Sequence, residues 1–241
     1  MIALDPRDVD VWTAEFGGDD VPIDPLFEML SPFERERANR FRFPEHRSRY
    51  VFAHALLRKT LARYMATEPA SIEFRHNHFG KPFLVQRNGV RPPFFNLSHS
   101  GPLVAIAISA DRPVGADVER LAIMRDMDAI AERWFAPCER EAVHAAPASD
   151  KARTFYTFWV RKEAYVKGRG QGLSIPLQSF DTSIVRGSVR PARESAGQSR
   201  IDAWRICDLP MPDGCVGALA VEGAVRRCLV LPASVDAQST A

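Results

Sequence analysis

Two carboxylates, Asp117 and Glu119, stand two residues apart in "VGADVE". On an extended strand, residues i and i+2 project from the same face, so both acids would point one way. Like charges held that close resist ionising together unless something positive lies between them. A hard divalent cation answers that need, with oxygen ligands and spare positions for water and phosphate. A solvated strand edge carries the same spacing without any chemistry, and the pair taken alone favours that bland reading. A third acid changes the weighing. Placed at about 100° per residue, "FWVRKEAYVK" (158–167) gathers Phe158, Trp159, Tyr165 and Val166 on one helical face, with Phe155 joining from upstream. Lys162 falls in the middle of that apolar stripe, and Glu163 on its edge, one turn from Trp159 and Lys167. A lysine there either snorkels out or neutralises something buried, and on the helix alone the two are evenly matched. With this helix packed across the strand, Glu163 becomes a third carboxylate, and Lys162 and Lys167 flank an anionic ligand held by the metal.

"FFNLSHSG" (94–101) is a second constellation. Phe94, Phe95 and Leu97 read as core strand, whereas Asn96, Ser98, His99 and Ser100 bring polar side chains to a glycine turn. Imidazole and hydroxyl donors suit phosphate oxygens. A Ser–His hydrolase pair and a backbone-bonded core histidine compete with that reading. Adjacent Ser98 and His99 project oppositely on a strand, which disfavours a nucleophile–base pair, and no G-x-S-x-G is present. Arginines 35, 37, 40, 42, 47, 49 and 58 crowd the first half. Most read as solvent-facing or ion-paired; one or two would make a phosphate fork, and spacing does not choose which. Neither G-x-G-x-x-G nor a Walker-type lysine loop occurs, and no Cys/His cluster suggests zinc.

The elements that must hold these groups are spelled out twice. "SPFERE" (31–36) resembles "APCERE" (136–141), 105 positions later, and the same offset lays "SRYVFAHALLRKTLARYM" over "RTFYTFWVRKEAYVKGRG". "GPLVAIAIS" (101–109) resembles "GCVGALAVE" (214–222). One such likeness is expected by chance; three in the same order point to duplication. The expectation is an α+β chain with a pseudo-twofold pair of halves, 1–112 and 113–232, a ligand cleft at their junction and a disordered tail at 233–241. Ser31-Pro32-Phe33-Glu34 reads as a helix start with a capping box. "GKPF" (80–83) reads as a turn, "LVAIAIS" and "CVGALAV" as buried strands, and 186–200 as an exposed polar loop.

Bulk properties set the frame. The 241 residues are 46% apolar and 26% charged, with a net charge of +2, so no global field draws the chain to nucleic acid or an anionic membrane. The N-terminus carries acids and a proline, unlike a signal peptide, and no apolar run approaches the ~20 residues of a membrane span. Cys138, Cys207, Cys215 and Cys228 lack metal-pair spacing and read as reduced, small apolar fillers in a cytoplasmic protein.

Taken together, "FNLSHSG", "VGADVE" and "FWVRKEAYVKGRGQGLSIPL" resemble the motifs of the 4'-phosphopantetheinyl transferases, specifically the surfactin-synthetase-activating type with two fused halves. The likeness runs in order from about Ser31 to Pro176, and "SPFERERANRF" and "FGKPF" fall where that family has related segments. It implies a pseudo-twofold α+β fold and a magnesium-dependent reaction, with manganese as an alternative ion. The 4'-phosphopantetheine arm of coenzyme A passes to a serine of an apo acyl or peptidyl carrier protein, and adenosine 3',5'-bisphosphate leaves. It implies Asp117, Glu119 and Glu163 as metal ligands, with Asp117, Glu163 and Lys167 the catalytic set and Glu163 helping to deprotonate the attacking serine. Lys167 would meet the pyrophosphate, Lys162 is similar to the motif lysine, and Ser98 and His99 would hold phosphate oxygens. Arg37 and Arg49 match basic positions for the 3'-phosphate, and Lys81 and Pro82 the segment lining the adenine. Glu34 departs from the pattern, standing where related sequences often carry a basic residue. "RLAIMRDMDAIAERWF" (120–135) would meet the carrier through Leu121, Ile123, Met124 and Met127, although core packing accounts for them equally well. Fused halves imply a monomer. The alternatives are a catalytically silent coenzyme A- or carrier-binding relative and a metal-dependent phosphohydrolase.

Overall fold

A strand, two short helices, a long helix, a two-strand hairpin and two further strands follow one another twice along the chain. The first round is β1 (Asp8–Glu15), α1 (Ile23–Glu28), α2 (Pro32–Asn39), α3 (Pro44–Met65), β2 (Phe74–His76), β3 (Pro82–Leu84), β4 (Phe94–Ser100) and β5 (Leu103–Ser109). The second is β6 (Val114–Arg120), α4 (Met127–Trp134), α5 (Pro137–Ala145), α6 (Lys151–Arg169), β7 (Phe180–Val185), β8 (Ser188–Pro191), β9 (Trp204–Asp208) and β10 (Cys215–Glu222), and β11 (Arg227–Pro232) follows. The computed structural model describes residues 2–86, 91–185, 188–191 and 204–235. The expected α+β class holds, and the strand orders β1-β5-β4 and β6-β10-β9 repeat the same antiparallel arrangement.

Two long-range features depart from the sequence expectation. β11 does not stay with the second sheet. It lies parallel to β1 on the outer edge of the first, so a cut at 112/113 does not divide the sheets. The edge of β1 would otherwise leave a row of unpaired backbone groups. The chain also stays docked after β11, where the Ala233 N–H donates to the Thr13 carbonyl (2.8 Å) and the Val235 carbonyl accepts from Lys59. The disordered tail expected at 233–241 is therefore wrong for 233–235, and 236–241 lie outside the described residues. Of the expected 186–200 loop, 188–191 form β8 and the rest lies outside them.

Local chemistry explains the helices that matter. Ser31 caps α2 with its hydroxyl accepting from the Glu34 N–H (3.3 Å), while the Glu34 carboxylate accepts from the Ser31 N–H (2.8 Å), the capping box expected. Apolar side chains of α3, among them Tyr50, Phe52, Leu56 and Leu61, close a core with Val104, Ile106 and Ile108 of β5. α6 does the same in the second half, where Phe155, Tyr165 and Val166 pack with Phe180, Trp204 and Ile206. A third cluster joins the sheets: Val9, Val11 and Ala107 of one meet Val114, Ala116 and Leu219 of the other. α6 lies directly on β6 because Gly115 has no side chain; a Cβ there would sit 2.1 Å from the Ala164 carbonyl oxygen.

The edge strands β4 and β6 run side by side without a backbone ladder. Alternate side chains of β4 stand in for carbonyls: Asn96 Oδ1 accepts from the Ala116 N–H (2.8 Å), Ser98 Oγ from Val118 (3.4 Å) and Ser100 Oγ from Arg120 (3.2 Å). This seam fixes the register between the halves and places the polar residues of "FNLSHS" against the acids of "GADVE".

Candidate active site

On β6 the two acids do project together, and the seam meets each. Ser98 Oγ donates to Asp117 Oδ1 (2.7 Å), and Ser100 Oγ donates to Glu119 Oε2 (2.5 Å). From α6, the Lys167 ammonium donates to Asp117 Oδ1 (2.6 Å) and to Ser98 Oγ (3.0 Å). Ser98 thus uses its one proton and both lone pairs, because it also accepts from Val118, and its hydroxyl has no capacity left for a phosphate oxygen. Asp117 is buried, and its second oxygen, Oδ2, has no partner. A buried carboxylate oxygen without a donor is costly and calls for an ion or a water.

Glu163 lies one turn before Lys167 on α6. Burial pushes its carboxyl above the usual range, followed by the negative charge of Asp117, with Glu119 adding to it and Lys167 opposing. Glu119 is raised in the same way, by burial first and then Asp117, against the Ser100 hydrogen bond and Lys167. The three acids therefore share one field with a single ammonium, Lys167. Among the described residues no group of three or more His, Cys, Asp or Glu forms a ready-made metal cage. The donors are nonetheless of the right kind for a hard divalent ion: carboxylate oxygens, one of them buried and unpartnered.

His99 leaves the seam on the opposite side from Ser98 and is exposed. Partial burial holds its imidazole below the usual value, and the charges of His54, Lys167 and Arg37 act in the same direction.

Comparison with known proteins decides what this arrangement belongs to. A family model described as the 4'-phosphopantetheinyl transferase superfamily matches residues 113–215, and one described as 4'-phosphopantetheinyl transferase, N-terminal, matches 22–111. The 4'-phosphopantetheinyl transferase HetI of Nostoc sp. is 34% identical over 216 residues, which cover 90% of this chain and 88% of that protein. The 4'-phosphopantetheinyl transferase Sfp of Bacillus subtilis is 31% identical over 159 residues, 66% of this chain and 68% of its own. The chain belongs to the 4'-phosphopantetheinyl transferase family.

Lys162 does not flank the site as its place beside Glu163 suggested. Its ammonium is fully buried and spends all three N–H groups on the carbonyls of Leu177 (2.8 Å) and Phe180 (2.7 Å) and on Glu139 Oε2 (2.7 Å). Lys162 neutralises a buried carboxylate, but a structural one. Arg49 is engaged by Glu45 one turn away, with its buried Nε unpartnered. Arg37 lies over the Tyr50 ring, 5.7 Å from its centroid, and lines a cavity of about 470 Å³ with Phe33, Glu36, Arg40 and Phe41. Lys81 and Pro82 line a second cavity, about 490 Å³, with Phe95, Gly168 and Arg169. The Lys81 ammonium donates to the Val114 (3.0 Å) and Gly168 (2.9 Å) carbonyls, stapling the first half's hairpin to β6 and α6, and burial brings its pKa down to about 8.

The departure at Glu34 has a structural reason. Glu34 and Glu139 occupy the same place in the repeated helix start, and each receives a buried cation from its long helix. Arg58 donates to Glu34 Oε2 through Nε (2.9 Å), and His54 Nδ1 meets Oε1 (3.1 Å). Burial opposes ionisation of Glu34, but the bond to His54 and the Arg58 charge prevail and hold its carboxyl at about 2. A carboxyl depressed in the folded state stabilises above its unfolded pKa and loses that contribution as pH falls toward the folded value. Melting temperature should therefore drop between about pH 5 and pH 2, and Glu34→Gln should flatten that limb while lowering the neutral-pH plateau. A pH–melting series on both proteins checks this; parallel limbs would refute it.

Proposed function

We propose that this transferase moves the 4'-phosphopantetheine arm of coenzyme A onto a serine of an apo acyl or peptidyl carrier protein, at the junction of two pseudo-twofold halves. The observation that carries the reading is Asp117: one oxygen is held by Ser98 and Lys167, the other is buried and free, and Glu119 and Glu163 lie within its field. Asp117, Glu119 and Glu163 would hold Mg²⁺ or Mn²⁺, which supplies charge neutralisation for the pyrophosphate. Lys167 meets the same pyrophosphate as a point charge. The serine oxygen forms its new bond to the β-phosphorus as the bond to the bridging oxygen of the pyrophosphate breaks. The adenosine 3',5'-bisphosphate carries that electron pair away, and the serine proton passes to Glu163 directly or through water.

His99, Arg37 and Arg49 make the basic end for the remaining phosphate. The Lys81 stem and Pro82 offer an apolar wall for the adenine. Ile123, 94% exposed, with half-buried Leu121 and Met124 beside it, is the apolar contact for a carrier helix, whereas Met127 belongs to the core. No helix of the described residues is long and apolar enough to cross a membrane.

Intact-mass analysis of a panel of apo carriers incubated with coenzyme A tests the reading. A phosphopantetheine adduct on the carrier serine, lost with a chelator and restored by Mg²⁺, is the expected result. Coenzyme A binding without an adduct on any carrier would make the chain a silent relative. Phosphopantetheine released without a carrier would make it a hydrolase.

A further inference from the structure

Glu163 and Lys167 belong to a longer stripe of α6. At about 100° per residue, Tyr156 stands two turns before Glu163 and three before Lys167, within about 20° of each. The packing of the helix says what that stripe faces. Ala164 and Gly168 lie against Gly115 near the start of β6, while Lys151, the first residue of α6, donates to Asp128 of α4 (2.7 Å), beyond the end of that strand. The helix therefore runs against the strand. Glu119 lies about 13 Å along β6 from Gly115, and Tyr156 about 12 Å back along α6 from Ala164. The tyrosine arrives level with Glu119, at the end of the acid row away from Lys167. Its ring is packed in the core of the second half, edge-on to Phe155 with centroids 5.4 Å apart, and only 7% of the residue is exposed. A tyrosine buried to that degree ordinarily bonds through its hydroxyl. This one bonds to no described residue and is not sealed in: the hydroxyl ends at the open edge of the core, above the acids. Burial first, and then the Glu119 charge, push it above the usual range. Past Glu119 the chain leads straight to Leu121, Ile123 and Met124, and Leu121 and Met124 pack on the same cluster as Tyr156.

We propose that Tyr156 binds the carrier at the point of transfer, its hydroxyl donating to a peptide carbonyl of the segment that bears the acceptor serine. The inference rests on the carrier reading above and adds a residue that serves the acceptor and not the donor. Attacking and leaving oxygens stand roughly in line across the phosphorus. The leaving nucleotide is drawn to Lys167 and to the basic end on the first half, so the serine comes in from the opposite end, over Glu119 and Tyr156. Ile123 and its neighbours meet the carrier's apolar surface; the phenol is the polar group between that contact and the acids. A neutral donor suits the uncharged backbone that has to accompany the serine past three carboxylates.

Steady-state kinetics of wild type and Tyr156→Phe test this, with the apo carrier that wild type modifies best varied at saturating coenzyme A, and then the reverse. The change removes one oxygen that bonds to nothing in the free protein, so the melting temperature should stay within about 2 °C. KM for the carrier should rise roughly fivefold, the worth of one neutral hydrogen bond. KM for coenzyme A and the melting shift produced by Mg²⁺ should not move. A rise in KM for coenzyme A with the carrier's unchanged would put the hydroxyl on the pantetheine arm, and a lost Mg²⁺ shift would put it behind Glu119. Either result overturns the assignment, as does a variant that matches wild type throughout. A wild type that modifies no carrier would instead sink the transferase reading; calorimetric binding of the same carriers, roughly fivefold weaker in Tyr156→Phe or equal in both proteins, then still decides the contact.

Discussion

Glu163→Gln should raise the melting temperature and nearly abolish turnover. The two effects have one cause. Three carboxylates share a partly buried site with a single ammonium, and burial together with Asp117 raises the Glu163 pKa. A carboxyl raised in the folded state stabilises below its unfolded pKa, and that contribution is lost as pH rises through the folded pKa. At neutral pH the Glu163 charge is therefore a net cost, and the isosteric amide removes it, with a gain on the order of 1 kcal/mol, or a few degrees. The same amide is a poor ligand for a hard cation and no base, so transfer to a carrier should fall about 10³-fold. Melting with and without Mg²⁺ gives a readout separate from activity: the ion should stabilise wild type and leave the variant unmoved. Normal turnover, or an unchanged Mg²⁺ shift, would remove Glu163 from the site.

Much of this site was legible because it is local. Asp117 and Glu119 share a face by the period of a strand, the capping box of Ser31 and Glu34 spans three residues, and the helix start and long helix recur 105 positions apart. The seam was half legible. Asn96, Ser98 and Ser100 stood out as polar residues in an apolar run, but nothing in their spacing says that they bond to the N–H groups of β6 in place of phosphate. His54 gave no signal at all, since its partner Glu34 lies 20 residues away. The return of β11 to β1 is likewise a pairing across the whole chain, which no local pattern encodes. Lys162 is the instructive case: helical spacing correctly marks a lysine in an apolar stripe, and two groups could answer it. Glu163 is adjacent in sequence, but Glu139 is the one the fold delivers, because adjacent helical residues point about 100° apart.

That pairing makes a second large prediction. Glu139 accepts from the Ala136 and Thr182 N–H groups (2.8 Å each), from Thr182 Oγ1 (2.7 Å) and from Lys162 (2.7 Å), so one fully buried carboxylate ties α5, α6 and β7 together. Glu139→Ala leaves the Lys162 ammonium buried with two carbonyls and no counter-charge, and strands the Ala136 N–H. Breaking a buried pair from one side costs about 3–5 kcal/mol, roughly 10 °C for a chain of this size. Burial already lowers the Lys162 pKa against the pull of Glu139, and losing that partner lowers it further. A lysine depressed in the folded state binds fewer protons than the unfolded chain, so the variant should regain stability as pH rises toward the unfolded lysine value. Glu139→Ala with Lys162→Met removes both charges and should recover much of the loss even at neutral pH. Because Lys162 points away from Asp117, the folded double variant should still modify carriers. A double variant that is stable, binds coenzyme A and yet transfers nothing would mean that the Lys162 ammonium reaches the donor during turnover. A Glu139→Ala protein that melts like wild type would mean that the buried pair contributes nothing to holding α6 against its half.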